Sequence, residues 1–335
     1  MEVVASQDAS NGDSPCHGCS VAADLNRSIT HALRLDLRRW ILPWQQDAPP
    51  SSAASCGTST EPMFLSLQPS APLNAFVESL WYSERGALPH TRERSLPTGC
   101  AHIVVPLLQD HVIRYEGAND KGARRLRGPI VQGPSDRFGV RGTEGPSAVI
   151  GVQFKPGGAA AFFGGALPHL RNRTELLEDL WGPAAQALHE QLKSAGSPER
   201  ALMCLQNHLL RRLRQAPPPD PLATCAIEAF GQDPARARVL PVQHAAGCTP
   251  AQFIRRFEAA VGLTPKRYAR VLRFGVLLPA LVRCGPRDWA DIAVGAGYFD
   301  QSHLIREFRQ MAGMPPGQYV PVHADRPTHV ALQER

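Results

Sequence analysis

Shifted by 51 residues, the C-terminal part of this chain lies over itself. TPAQFIRRFEAAVGLTPKRY at 249–268 aligns with DQSHLIREFRQMAGMPPGQY at 300–319, and Ile254/Ile305, Arg255/Arg306, Phe257/Phe308, Gly262/Gly313, Pro265/Pro316 and Tyr268/Tyr319 are identical. A repeat of this size is a repeated supersecondary unit, so the two copies must be built alike. Thr249 and Asp300 offer side-chain oxygens to the unpaired amides of a helix start, and Pro250 suits a first turn. Phe253 and Phe257, like Leu304 and Phe308, stand four apart and share one inward face. At ~100° per residue, Ala251, Arg255 and Glu258, and in the second copy Ser302, Arg306 and Arg309, then point outward. Gly262 and Gly313 suit helix ends, each with a proline three residues on.

Ahead of each predicted helix lies a short helical segment closing in glycine, PVQHAAG at 241–247 and WADIAVGAG at 289–297. Helix, glycine turn and second helix make a helix-turn-helix, whose second helix can enter the major groove of DNA. One helix from Pro265 to about Val282 is expected to join the units, kinked or shortened by Pro279. Its length, ~27 Å at ~1.5 Å per residue, is near the ~34 Å repeat of the duplex, so two recognition helices could meet successive groove segments on one face. A plain bundle of two similar helix pairs is the alternative. Charge separates the two readings only in part. Of the net +6, the stretch 235–320 carries 12 Lys/Arg against 5 Asp/Glu, and the rest of the chain 24 against 25. That local excess suits a surface that neutralises phosphates, although a solvated arginine-rich face gives the same count.

The rest of the chain divides by texture. Residues 1–62 are rich in Ser, Ala, Asp and Pro and read as a disordered extension or a frame opened upstream of Met63. Within it, Leu25, Ile29, Leu33, Leu37 and Ile41 recur at helical spacing among arginines, as in a basic amphipathic helix. Residues 63–214 are expected to form an α+β domain. FLSL, FVESLWY, AHIVVPLL, GPIVQG and AVIGVQF read as strands, in a cupin-like arrangement or another, and the leucine pattern from Thr174 to Arg214 reads as helix. Trp81, Phe154 and Phe162 are its expected core and a candidate pocket wall. QAPPPDP at 215–221 is a stiff linker. An all-α domain at 222–320 and a disordered tail at 321–335 complete the expected organisation.

Other chemistry finds little footing. Cys16-His17-Gly18-Cys19 has the spacing of half a zinc site, and Pro15-Cys16-His17 is similar to the acceptor cysteine of DNA alkyltransferases, but neither has supporting residues around it. Lys155-Pro156-Gly157-Gly158 lacks phosphate-loop spacing, and no H-E-x-x-H or G-x-S-x-G occurs. No catalytic residue, metal ligand or cofactor is therefore expected. Eight scattered cysteines, no secretory leader and no long apolar run point to the cytoplasm.

FIRRF, GLTPKRY, Arg273, DIAVGAGY and GMPPGQY together resemble the signature of the AraC/XylS family of bacterial transcription regulators, over residues 236–320. PLNAFVESLWY, LPTGCAHIVV, VQFKPGGAAAFFG and LEDLWG are similar to an uncharacterised N-terminal domain of one AraC subgroup. The resemblance implies a cytoplasmic, nucleoid-associated regulator of double-stranded DNA. RNA polymerase, a small-molecule effector and a second copy of the chain are its further candidate partners, with no membrane. It puts base-reading positions on Ala251, Ile254 and Arg255, and on Gln301, Ser302, Ile305 and Arg306. Lys266, Arg267, Arg270 and Arg273 fall at phosphate-contact positions. Ala251 and Ile254 lack donors, which leaves Arg255 as the anchor of the first unit. The competing reading is an enzyme whose catalytic N-terminal domain is carried by a DNA-targeting module.

Overall fold

A computed structural model describes residues 62–117, 122–283, 289–323 and 326–332, all within one compact unit, Pro43–Arg335. The extension at 1–61, with its amphipathic stretch and Cys16–Cys19 pair, lies outside the described residues, as does Cys284.

In chain order the strands are β1 (Met63–Leu67), β2 (Val77–Arg85), β3 (Arg92–Ser95), β4 (His102–Pro106), β5 (His111–Tyr115), β6 (Arg124–Arg127), β7 (Ile130–Gln132), β8 (Gly139–Gly142), β9 (Ser147–Phe154), β10 (Thr174–Leu176) and β11 (His329–Ala331). They pair antiparallel into two sheets, ordered β1-β2-β9-β4-β7-β10 and β11-β3-β8-β5-β6. The first sheet follows from alternation. Ala148, Ile150, Val152 and Phe154 of β9, with Ile103 and Val105 of β4, all fall on one face. Two amphipathic helices cover that face. After the single turns α1 (Ala160–Phe163) and α2 (Glu178–Trp181) come α3 (Pro183–Lys193) and α4 (Pro198–Leu213). They bring Ala185, Leu188, Leu192, Leu202, Leu205 and Leu209 into the same cluster. The second sheet faces the first from the other side, where Arg114 Nη2 of β5 donates to Gln132 Oε1 of β7 at 3.0 Å.

The helical part comprises α5 (Pro221–Gln232), α6 (Val239–Ala245), α7 (Pro250–Val261), α8 (Pro265–Arg283), α9 (Trp289–Gly295) and α10 (Gln301–Ala312). Phe230, Phe253, Phe257, Tyr268, Phe274 and Phe308 form its centre, joined by Leu96 and Val330 from the sheet side.

Three expectations are corrected. The leucine pattern does not make helix from Thr174, because Thr174–Leu176 completes a sheet edge opposite Ile130–Gln132. Pro279 does not shorten α8, which runs on to Arg283. Burial of Phe274, Leu277 and Leu278, none above 2% exposed, offsets the ~3 kcal/mol that an internal proline costs. The tail is not structureless. Val330 is 4% exposed against the helical core, and β11 fills the open edge of β3, pairing His329 with Ser95 and Ala331 with Glu93. No helix among the described residues is long and apolar enough to cross a membrane.

Candidate nucleic-acid interface

Each second helix is fixed at both ends by its own sequence. At the start of α7 the Thr249 hydroxyl accepts the Gln252 amide at 3.3 Å, while Gln252 Oε1 accepts the Thr249 amide at 3.2 Å. This closes a reciprocal capping box. At the start of α10, Asp300 Oδ1 accepts the His303 amide at 2.6 Å. Both helices end on a left-handed glycine, Gly262 at φ +78° and Gly313 at φ +68°. Side chains with a Cβ disfavour that conformation.

The outward faces carry the residues expected at bases. Ala251, Ile254 and Arg255 are exposed on α7, with Ile254 41% accessible. Gln301, Ser302 and Arg306 are exposed on α10, and Ile305 is half-buried beside them. Ser302, Ile305, Arg306, Arg309 and Gln310 line one surface depression.

The inward anchors were not legible in the sequence. Arg256 of α7 donates through Nε and Nη2 to Asp220, both at 2.8 Å, and Asp220 also caps α5 through the Leu222 and Ala223 amides. The hydrogen bonds from Arg256 hold the Asp220 carboxyl below the usual carboxylate range. Fifty-one residues on, Glu307 is 5% exposed and receives Arg270, with Arg273 Nη1 at 3.9 Å.

This bears directly on the residues expected at phosphates. Lys266 is exposed. Arg267 instead donates to Asp136 of the sheet domain, and Arg270 to Glu307 and Gln310. Arg273 departs furthest from expectation. Its side chain is only 18% exposed, stands 5.6 Å from the Tyr298 ring centroid and faces Glu307. Sequence reasoning also passed over Phe299, 88% exposed immediately before the Asp300 cap, and Val294, 69% exposed on α9. The available signal was an apolar residue beside a capping position.

Between the two sheets lies a second cluster, polar and largely cationic. Glu93, 1% exposed, accepts Arg141 Nε at 2.9 Å and pairs with His90 Nε2 at 2.7 Å. Burial raises the Glu93 pKa, but Arg141 and the His90 contact overcome this and hold it at about 2. Burial pushes His102 down to about 4 and His329 to about 3, so both are neutral near pH 7. Arg114 sits among them with its pKa lowered to about 10 by burial and then by Arg141. Its Nε has no partner, and no carboxylate pairs with it among the described residues. Phe154 and Phe162, 5.1 Å apart, belong to the apolar core on the other side of the first sheet, whereas Trp81 lies against Gly151. Among the described residues no three His, Cys, Asp or Glu side chains are placed to hold a metal ion.

Residues 243–320 match a helix-turn-helix domain family over the two units just described. This segment is an AraC-type helix-turn-helix domain. Residues 65–175, most of the sheet domain, match a domain of unknown function (DUF6597). Together with the AraC-type domain, the chain is similar to an AraC-like transcription regulator of Streptomyces lividans. That match is 31% identical over 143 residues, 39% of this chain and 46% of that protein. It is 31% identical over 77 residues to the HTH-type transcriptional regulator MtrA of Neisseria gonorrhoeae, 22% of this chain and 25% of that protein. The chain thus spans about half the length, or less, of these relatives. ToxT from Vibrio cholerae O395 is similar in structure at 8% identity and a TM-score of 0.40, over 72% of this chain and 96% of that one.

Proposed function

We propose that this protein is a sequence-specific DNA-binding transcription regulator that reads two successive major-groove segments with α7 and α10. The observation that carries the reading is the pair of equivalent, capped second helices, each holding an exposed arginine at the same position, Arg255 and Arg306. Arginine reaches guanine O6 and N7 with two hydrogen bonds, glutamine pairs with adenine, serine is adaptable, and alanine or isoleucine meets a thymine methyl. Gln301, Ser302, Ile305 and Arg306 thus give α10 the richer readout, and Ala251, Ile254 and Arg255 give α7 the poorer. Lys266 contacts phosphate. Such a protein acts in the cytoplasm, at the nucleoid, with RNA polymerase and a second copy of the chain as further partners.

Selection of bound sites from random duplexes tests this with the full chain. The expected result is two clusters of preferred bases about one DNA turn apart. Arg306→Ala should relax one cluster by about 1–3 kcal/mol of discrimination and cost more than Arg255→Ala costs the other. An unchanged preference in Arg306→Ala overturns the assignment.

The sheet domain is read as the sensing part, its effector an anion held between the sheets. Arg114 is half-buried without a counter-charge among the described residues, and a carboxylate or phosphate group beside it would supply one. Millimolar inorganic phosphate, sulfate or succinate should raise the melting temperature of the wild-type chain and leave Arg114→Gln unmoved. No shift with any of the three removes the anion reading. A catalytic sheet domain has no observation in its favour among the described residues.

A further inference from the structure

Both recognition helices touch one segment of the sheet domain at the same place in the repeat, and Gly262, closing the first, also lies against Leu167. Residues 133–138 connect β7 to β8. Pro134 lies against Gly262, where a Cβ would come within 2.8 Å of its Cγ. Four residues on, the Phe138 ring lies against Gly313, and a Cβ there would overlap it. Gly262 and Gly313 are repeat partners, each closing a recognition helix. The Phe138 amide donates at 2.7 Å to the carbonyl of Met311, in the last turn of α10, where helix carbonyls otherwise go unpaired. Between these contacts, Asp136 accepts Arg267 from the first turn of α8.

The segment is itself fastened to the sheet domain. The Gly133 amide donates to Arg173 at 3.0 Å, the Asn172 amide to Pro134 at 3.0 Å, and the Asn172 side chain donates to Asp136 Oδ1 at 2.7 Å while accepting the Asp136 amide at 3.0 Å. The units also meet where Gly297 lies against the Ala235 backbone, and they are linked in sequence by α8, which contains Gly275 and Pro279. Those residues make a helix easier to bend.

We infer that residues 133–138 are a positioning element that fixes the spacing and angle between α7 and α10, and so sets the distance between the two base clusters the protein accepts. Phe138 acts through Gly313 and Met311, and its ring also packs against the apolar clusters of both domains and lies 5.7 Å from the Arg94 guanidinium. The inference rests on the DNA-reading function proposed above and names a specificity determinant outside the DNA-binding domain.

The test uses the full chain and duplexes in which the selected clusters are separated by the preferred spacer, or by one base pair more or fewer. For the wild type each spacer change should weaken binding about ten-fold, the size of a single lost base contact. In Phe138→Ala the same change should cost about three-fold or less, with base preference inside each cluster retained. A merely structural residue would lower affinity for all spacers alike, so an unchanged spacer penalty overturns the inference. Loss of base preference within the α10 cluster also overturns it, since the ring would then be supporting that helix alone. If Phe138→Ala shows no cooperative melting, the Pro134→Ala and Asp136→Asn variants carry the same measurement and the same two outcomes. A wild-type chain with no two-cluster preference sinks the DNA-reading function itself. Two clusters with spacer penalties unmoved by the variants sink only the brace.

Discussion

Position 256 and its repeat partner 307 carry opposite charges, and each ties a recognition helix to the element behind it. Arg256 reaches back to Asp220, and Glu307 receives Arg270 and Arg273. What the repeat preserves at this position is an inward polar anchor, not a residue type, so an alignment of the two copies does not reveal it. The same network sets the role of Arg273. Its Nε is buried without a partner and its guanidinium lies between Glu307 and the Tyr298 ring, leaving little to offer a phosphate. Arg273→Ala should therefore lower stability by about 1–3 kcal/mol, because it strips a counter-charge from a buried carboxylate. The slope of log affinity against log salt should stay unchanged. Lys266→Ala should do the opposite, leaving the melting temperature in place and reducing that slope by about one. Thermal melts and salt titrations of the two full-length variants check both halves. A reduced slope in Arg273→Ala would return that residue to the DNA surface.

The helices α7 and α10 were legible in the sequence almost to the residue, because what starts and stops them is local. A capping oxygen acts within three residues and a left-handed glycine within one turn. The reading failed where the deciding partner is distant. Thr174–Leu176 looks helical beside the leucines that follow it, yet its conformation is set by Ile130–Gln132 across the sheet. Pro279, inside the helix expected to reach about Val282, suggests a shortening until the packing of Leu277 and Leu278 is known. The outward arginines of the candidate site were legible from spacing, whereas Arg267 was not, since Asp136 lies 131 positions away in sequence. If the caps are as local as this implies, they should be interchangeable in cost. Thr249→Ala and Asp300→Ala should each destabilise the folded chain by about 1 kcal/mol, and Thr249→Ser and Asp300→Asn by much less. Denaturant melts of the four variants measure this. A near-zero cost for either alanine would mean that tertiary contacts, not the cap, place that helix start.

At the scale of the whole molecule, the chain crosses between its two parts twice. It leaves the sheet domain at the segment before α5, builds both helix-turn-helix units, and then returns, so that β11 becomes an edge strand of the second sheet. The return is well bonded. The Leu96 amide donates to Thr328 at 2.7 Å, the Leu332 amide to Arg92 at 2.9 Å, and the Tyr319 hydroxyl, at the end of the second repeat, to Pro327 at 2.6 Å. Val330, 4% exposed, and Leu96 also lie in the same apolar cluster as Phe257 and Phe308. The helical domain therefore completes its core with residues from the sheet and from the tail, and the two parts should unfold together. A chain ending at Val320 loses the burial of one valine, worth about 1.5–3 kcal/mol, and leaves the Tyr319 hydroxyl, on an 8% exposed residue, without its acceptor, at about 1–3 kcal/mol. The expected outcome is a single calorimetric transition for the full chain and, for the truncated chain, a lower melting temperature with the helical and sheet parts melting separately. Val330→Ala, which keeps the strand and removes only two methyl groups, should lower the melting temperature by a smaller step without splitting the transition. If the truncated chain melts at the wild-type temperature in one step, the tail strand contributes nothing to the union of the two parts, which would then rest on contacts such as those between residues 133–138 and the two recognition helices.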